Sequence, residues 1–133
     1  MKIIIAYLST AAVFLAVDFL WLSYVARGFY AAQLGPLLLE RPNIGAAAVF
    51  YLAYAAGIVF FAVAPALRAE SAAVALGHGA VLGLLAYATY DVTNYATLRN
   101  WPLAMSVVDV VWGGVLTSLA AFAGYAAAVR FAA

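Results

Sequence analysis

Three aspartates are the residues of this sequence best suited to do chemistry. Asp18, Asp91 and Asp109 lie inside or at the ends of stretches that are otherwise almost entirely apolar. An ionised carboxylate in hydrocarbon is costly, so each of them needs a bound cation, a proton or a hydrogen-bond donor. Three carboxylates that lie close together cannot all stay ionised. The residue types therefore suit a cation-binding or proton-binding site.

Two of these aspartates belong to the same short string, Val-Asp-x-x-Trp, which occurs at Val17–Trp21 and at Val108–Trp112. Residues three apart are neighbours on a helix, so each tryptophan lies beside its aspartate. An indole N–H can donate to a carboxylate on an adjacent helix, and so can the hydroxyl groups of Tyr51 and Tyr54. The two tryptophans and Tyr54 therefore join the predicted site.

Neutral and basic side chains follow the second aspartate. Thr93 and Asn94 supply neutral oxygens, and Arg99 is the nearest counter-ion in sequence. Carboxylates with such oxygens also suit a hard metal ion such as magnesium or calcium, which stays an alternative to the favoured metal-free site. We expect no cofactor, since the chain has no cysteine, its one histidine (His78) lies far from the acids by topology, and its only lysine is Lys2.

The composition of the chain places these acids in a membrane. Of its 133 residues 70% are hydrophobic and 8% are charged, and the mean hydropathy is +1.10. A soluble domain carries about a quarter charged residues, so this chain would expose bare apolar surface to water. The net charge of +1 comes without a basic patch, which excludes a nucleic-acid-binding surface.

Four stretches are long enough to cross a bilayer, which takes about 20 residues. Each should be helical, because an open strand would leave backbone polar groups unpaired in lipid. The connection Ala26–Asn43 alternates apolar with polar residues, which predicts a segment in the membrane interface. The chain is thus predicted to be an all-α integral membrane protein, one four-helix bundle domain of residues 1–133 with both termini on the same side. The predicted spans are Ile3–Val25, Ile44–Ala64, Ala72–Tyr90 and Leu103–Val129.

This topology brings the acids to one end of the bundle. Asp18 lies seven residues before the end of the first span, and Asp109 lies six residues after the start of the fourth. At 1.5 Å per residue both lie roughly 10 Å inside the same face of the membrane. Asp91 is predicted to close the third helix at that face. A stripe of small residues, Gly79-x-x-x-Gly83, continues to Tyr87 and Asp91, so close packing of this stripe would point both side chains inward.

The orientation in the membrane stays open. Lys2, Arg68 and Arg130 would lie on the side of the termini, and Arg27, Arg41 and Arg99 on the other. Since the side richer in lysine and arginine normally faces the cytoplasm, this tie gives no preference.

Several strings in the chain resemble a known family. They are Asp18–Leu22, Phe29-Tyr30-x-x-Gln33-Leu34-Gly35, Tyr90–Leu98 followed by Trp101-Pro102, and Asp109–Gly113. Together they resemble an uncharacterised family of small bacterial membrane proteins, domain of unknown function 2177. The resemblance implies a multi-pass protein of the bacterial inner membrane, and it carries no assigned activity.

The residues favour a binding or transport protein for a small polar or cationic ligand, or for protons. A lone four-helix unit leaves little room for a path across the bilayer, so transport would favour a homodimer in the lipid bilayer. Two alternatives are a membrane-embedded enzyme that acts on a lipid-like substrate, which we favour less, and a structural or accessory subunit whose aspartates only tie helices together. The predicted ligand-binding or proton-binding residues are Asp18, Trp21, Tyr54, Tyr87, Asp91, Thr93, Asn94, Arg99, Asp109 and Trp112.

Overall fold

The structure is a computed structural model that describes residues 1–132, and within them it contains helices and no strand. Four of the helices are long and apolar enough to span a membrane, which confirms the predicted all-α, four-span membrane fold. A fifth, short helix takes the place of the predicted interfacial segment. In chain order they are α1 (Lys2–Val25), α2 (Arg27–Leu34), α3 (Ile44–Ala69), α4 (Ala72–Thr97) and α5 (Leu103–Phe131).

Helix α4 runs well past the predicted end of the third span. It continues to Thr97, so the prediction that Asp91 closes this helix is wrong, and Thr93 and Asn94 lie in its last turns rather than in a loop. The hydroxyl group of Thr97 donates to the carbonyl oxygen of Thr93 at 2.8 Å. Hydropathy marks only where the apolar part of a helix ends, and nothing in this polar stretch stops the backbone from staying helical.

Helix α3 also continues past a predicted boundary, the residue Pro65. Proline has no N–H to donate to the carbonyl of the residue four before it, Phe61. Just before this point α3 widens into a π-helical turn at Val59–Val63. The Nδ1 atom of His78, on α4, lies 3.3 Å from the Phe61 carbonyl oxygen. It can donate to this oxygen in the tautomer that carries the proton on Nδ1. The only histidine of the chain thus has a structural task.

Helices α4 and α5 pack against each other through the predicted small-residue stripe. A Cβ atom added at Gly79 would lie 2.9 Å from the Cα atom of Ser118, and one added at Gly83 would lie 2.8 Å from the Cβ atom of Thr117. Both distances are shorter than side chains tolerate, so only glycine allows this approach. Close packing of α4 on α5 fixes the faces that carry Tyr87 and Asp91.

Helix α1 ends in a second π-helical turn, Trp21–Val25, from which the chain reverses into α2. The buried Ala26 joins the two helices, and its N–H donates to the carbonyl oxygen of Trp21 at 2.7 Å. As a result α2 folds back against the start of α5. This turn brings Tyr30, in the middle of α2, to the aspartates.

Candidate functional site

A cavity of about 430 Å³ opens among the four long helices. Each of them contributes two or three side chains to its wall, and most of these are aromatic. We call it the aromatic cavity. It is lined by Asp18, Trp21, Leu22, Phe50, Tyr51, Tyr54, Ala86, Tyr87, Tyr90, Asp109 and Trp112.

Six of the ten predicted site residues meet in this wall. They come from α1, α3, α4 and α5, which agrees with the expectation that one end of the bundle gathers them. They are Asp18, Trp21, Tyr54, Tyr87, Asp109 and Trp112.

The two tryptophans of the repeated string form the centre of the site. The rings of Trp21 and Trp112 are stacked, with their centroids 4.1 Å apart and their planes 9° from parallel. The indole nitrogen of Trp112 donates to the Oδ1 atom of Asp18 at 3.1 Å. This bond joins α5 to α1 in the way that the spacing within the string predicts. The carboxyl group of Asp18 is nearly buried, with 6% of the residue exposed.

The other tryptophan reaches the other aspartate through Tyr30. The indole nitrogen of Trp21 donates to the Tyr30 hydroxyl oxygen at 3.0 Å, and that hydroxyl group donates to Oδ1 of Asp109 at 2.9 Å. The tryptophan of each string therefore contacts the aspartate of the other string. Trp112 donates to Asp18 directly, and Trp21 is connected to Asp109 through Tyr30.

Sequence reasoning missed Tyr30 as a site residue. Burial raises the pKa of its hydroxyl group, and the neighbouring carboxyl group of Asp109 raises it further. The hydroxyl group therefore keeps its proton and remains a donor. One sequence signal was present, since Tyr30 belongs to the string Phe29–Gly35 that resembles the family. The helical periodicity of α1 does not extend to Tyr30, because the π-helical turn before α2 interrupts it.

Two tyrosines from α3 complete the wall in different ways. The hydroxyl group of Tyr51 lies against the carboxyl group of Asp18, as the sequence predicts. The hydroxyl group of Tyr54 is paired instead with that of Thr117 at 2.8 Å, so the expectation that Tyr54 donates to a carboxylate is wrong. Its ring packs edge-on to that of Tyr87, with the centroids 6.4 Å apart.

Asp91 lies outside the aromatic cavity, between α4 and α5. It is fully buried, with 0% of the residue exposed, and neither carboxyl oxygen has a hydrogen-bond partner within residues 1–132. Its carboxyl group lies against that of Asp109. The three aspartates therefore do not share one space: Asp18 and Asp109 face the cavity, and Asp91 contacts only the second of them.

The remaining predicted residues lie away from the cavity. Thr93 is exposed, Asn94 is half-buried, and Arg99 lies on the exposed turn after α4. Within the described residues no hydrogen bond joins Arg99 to Asp91. Nor does the described part of the chain contain a group of three or more acidic, histidine or cysteine residues that could hold a metal ion.

The wall of the cavity determines what chemistry is open to it. Aromatic faces attract cations through their quadrupoles, and the attraction grows when the cation is stripped of water. Two carboxyl groups beside those faces add a negative potential and can accept protons or N–H donors. The residues that line the cavity include no serine, cysteine, histidine or lysine, so catalysis there would depend on the carboxyl groups and the tyrosine hydroxyl groups.

Comparison with known proteins places the chain in a family. No curated protein and no solved structure matches it. One family model matches residues 3–126, which is nearly its whole length. The chain therefore belongs to the family described as "Predicted membrane protein (DUF2177)".

Proposed function

We propose that the protein binds a small organic cation in the aromatic cavity. The observation that carries this proposal is the meeting of two carboxyl groups, Asp18 and Asp109, in one cavity with an otherwise mostly aromatic wall. Its volume of about 430 Å³ is within the range of small-molecule sites, about 300–1,000 Å³.

Charge and wall chemistry argue for this ligand class over the others. An anion would meet two acidic groups and no basic group among the lining residues. A hard metal ion prefers several oxygen ligands and keeps much of its water, whereas Asp18 and Asp109 already accept hydrogen bonds from aromatic donors. An organic cation needs only one charge partner and gains about 0.5–2 kcal/mol from each well-placed aromatic face.

The proposal also includes transport of that cation across the membrane. The cavity lies at one end of the bundle, and a single copy offers little room for a path to the opposite face. A homodimer in the bacterial inner membrane would supply the missing wall. The two membrane acids would then alternate between the ligand and their own hydrogen-bond donors.

Tryptophan fluorescence gives a direct test of binding. Two of the three tryptophans of the chain line the cavity, so the purified full chain in detergent is titrated with tetraethylammonium, sodium and magnesium chlorides. We expect a saturable change with tetraethylammonium that sodium and magnesium do not reproduce. In Asp18→Asn and Asp109→Asn the affinity should fall at least about tenfold, or about 1.4 kcal/mol, because each variant loses one charge partner.

The matched control is Glu40→Gln, which also removes one acid but from an exposed position. It should bind like the wild type. Failure of the wild type to respond to tetraethylammonium, or equal affinity in Asp18→Asn, Asp109→Asn and Glu40→Gln, would contradict the proposal.

A second candidate function, a purely structural clamp, is favoured by the hydrogen bonds themselves. Asp18 ties α1 to α5, and Asp109 ties α2 to α5. Such bonds contribute on average only about 0.6 kcal/mol in membranes, which is a small return for placing two acids there. The clamp predicts that both asparagine variants lose stability while no cation binds to any form of the protein.

A further inference from the structure

Asp91 is a buried acid that the proposed function does not use. It is 0% exposed, both of its oxygens lack a partner within residues 1–132, and it does not line the aromatic cavity. An ionised carboxylate in such a place is strongly destabilised, because nothing replaces the water it has lost. The carboxyl group of Asp91 therefore needs a bound proton or cation.

One proton satisfies this geometry. A protonated carboxyl group has one O–H donor, and the nearest acceptor is the carboxyl group of Asp109. Tyr30 donates to Oδ1 of Asp109, which leaves Oδ2 free to accept from Asp91. Two carboxyl groups in contact cannot both ionise readily, so a pair of this kind holds one proton between them.

The groups that face this pair keep the proton in place. They are acidic or phenolic, so any charge that they carry is negative and none of them replaces a proton as a counter-ion. Such groups come from α1, α2, α3 and α4, and they are Asp18, Tyr30, Tyr51, Tyr87 and Tyr90.

We propose that Asp91 and Asp109 share one proton and that a cation entering the aromatic cavity replaces it, so that the protein exchanges protons for organic cations. The inference rests on the proposed function, because the cation is the ligand of the cavity wall. In the exchange the O–H bond of Asp91 breaks, the proton passes by way of the carboxyl group of Asp109, which lines the cavity, to water, and both carboxyl groups are left ionised. The pair gains one negative charge while the ligand brings one positive charge. The net charge of the buried site is therefore unchanged, which avoids the cost of burying an uncompensated charge.

The shared proton is tested first without any ligand. Infrared spectroscopy of the full chain in detergent at neutral pH should show the carbonyl band of a protonated carboxyl group. The band should be lost in Asp91→Asn, where Asp109 is free to ionise, and kept in Asp18→Asn. A wild type without this band, or a band of unchanged size in Asp91→Asn, would overturn the shared proton whatever the protein binds.

The exchange is tested with tetraethylammonium. In weakly buffered solution the wild type should release about one proton for each cation bound, and its affinity should fall about tenfold for each pH unit of acidification below the titration of the pair. In Asp91→Asn, which leaves every residue of the cavity wall in place, the cation should still bind, with no proton released and no dependence on pH in this range.

The outcomes separate the two proposals. Binding of tetraethylammonium to the wild type without proton release overturns the exchange and leaves the cation site standing. Absence of binding in a wild type that shows the infrared band overturns the cation site and the exchange, and the shared proton stands alone. Both readouts on the wild type decide the matter even if Asp91→Asn fails to fold.

Discussion

At the scale of single residues, the site depends on donors that reach across from other helices. Trp112 donates a hydrogen bond to Asp18, and Tyr30 accepts one from Trp21 and donates one to Asp109. The first of these bonds could be predicted from the sequence, because the spacing within Val-Asp-x-x-Trp fixes a tryptophan beside each acid and the topology brings the two helices together. The second could not, since it depends on a reversal of the chain between α1 and α2 that no hydropathy pattern records.

Replacement of Tyr30 by phenylalanine tests this second contact. The variant Tyr30→Phe keeps the ring but removes the hydroxyl group that joins Trp21 to Asp109, so a partly buried indole N–H loses its acceptor. Such a loss costs about 1–3 kcal/mol. We expect α2 to detach more often from α5, which would be seen as faster trypsin cleavage after Arg27 and faster hydrogen exchange in residues 27–34.

A matched control for this variant is Tyr24→Phe, because Tyr24 is 77% exposed and lies one turn away from the contact. Its cleavage and exchange should equal those of the wild type. Equal protection of α2 in Tyr30→Phe and in the wild type would show that the hydroxyl group does not hold this helix.

At the scale of helices, the sequence predicts where apolar segments begin better than where helices end. The starts of all four long helices lie within one residue of the predicted starts, because capping residues and prolines such as Asn43, Ser71 and Pro102 mark them. Helices α3 and α4 end later than the sequence predicts. In α3 a histidine from a neighbouring helix compensates for Pro65, and such compensation is a tertiary contact that local sequence does not show.

Close packing of α4 on α5 gives a prediction at this scale. Replacement of Gly83 by alanine would place a Cβ atom against the backbone of Gly113 and 2.8 Å from the Cβ atom of Thr117. Overpacking of this kind costs about 1–3 kcal/mol. The midpoint of thermal unfolding of Gly83→Ala in detergent should therefore be clearly lower than that of the wild type.

The control for this prediction is on the same helix. Gly77 has no atom within 4 Å of an added Cβ, so Gly77→Ala should leave the midpoint unchanged or raise it, since alanine favours helices over glycine by about 1 kcal/mol. Equal midpoints for the two alanine variants would contradict the close approach of α4 and α5.

At the scale of the whole molecule, four long helices converge on one cavity, and composition accounts for most of that architecture. The gathering of acids and aromatic rings at one end of the bundle could also be predicted, from residue depth along each span. The separation of Asp91 from the cavity could not. Its neighbours are decided by how α4 rotates about its own axis on the glycine stripe, and a small rotation would move Asp91 from the α5 contact to the cavity wall.

Reconstituted vesicles test the molecule as a carrier. If cations move in exchange for protons, vesicles with an acidic interior should accumulate tetraethylammonium, because protons leaving down their gradient drive the cation inward. Vesicles with an acidic exterior should not accumulate it, and neither should protein-free vesicles. Uptake that does not depend on the direction of the pH gradient would contradict coupled transport. No uptake at all would show that the protein binds the cation without transporting it.

The π-helical turn at Trp21–Val25 also makes the site sensitive to the length of the chain. One residue more or less turns the following segment by about 100° about the helix axis. Deletion of a single residue after Trp21 would let α1 continue as an ordinary α-helix, with Asp18 still in place but with Tyr30 aimed away from Asp109. The number of residues in this one turn therefore determines whether Tyr30 reaches Asp109 while Trp112 contacts Asp18. A deletion there would break the Tyr30–Asp109 hydrogen bond without changing any site residue.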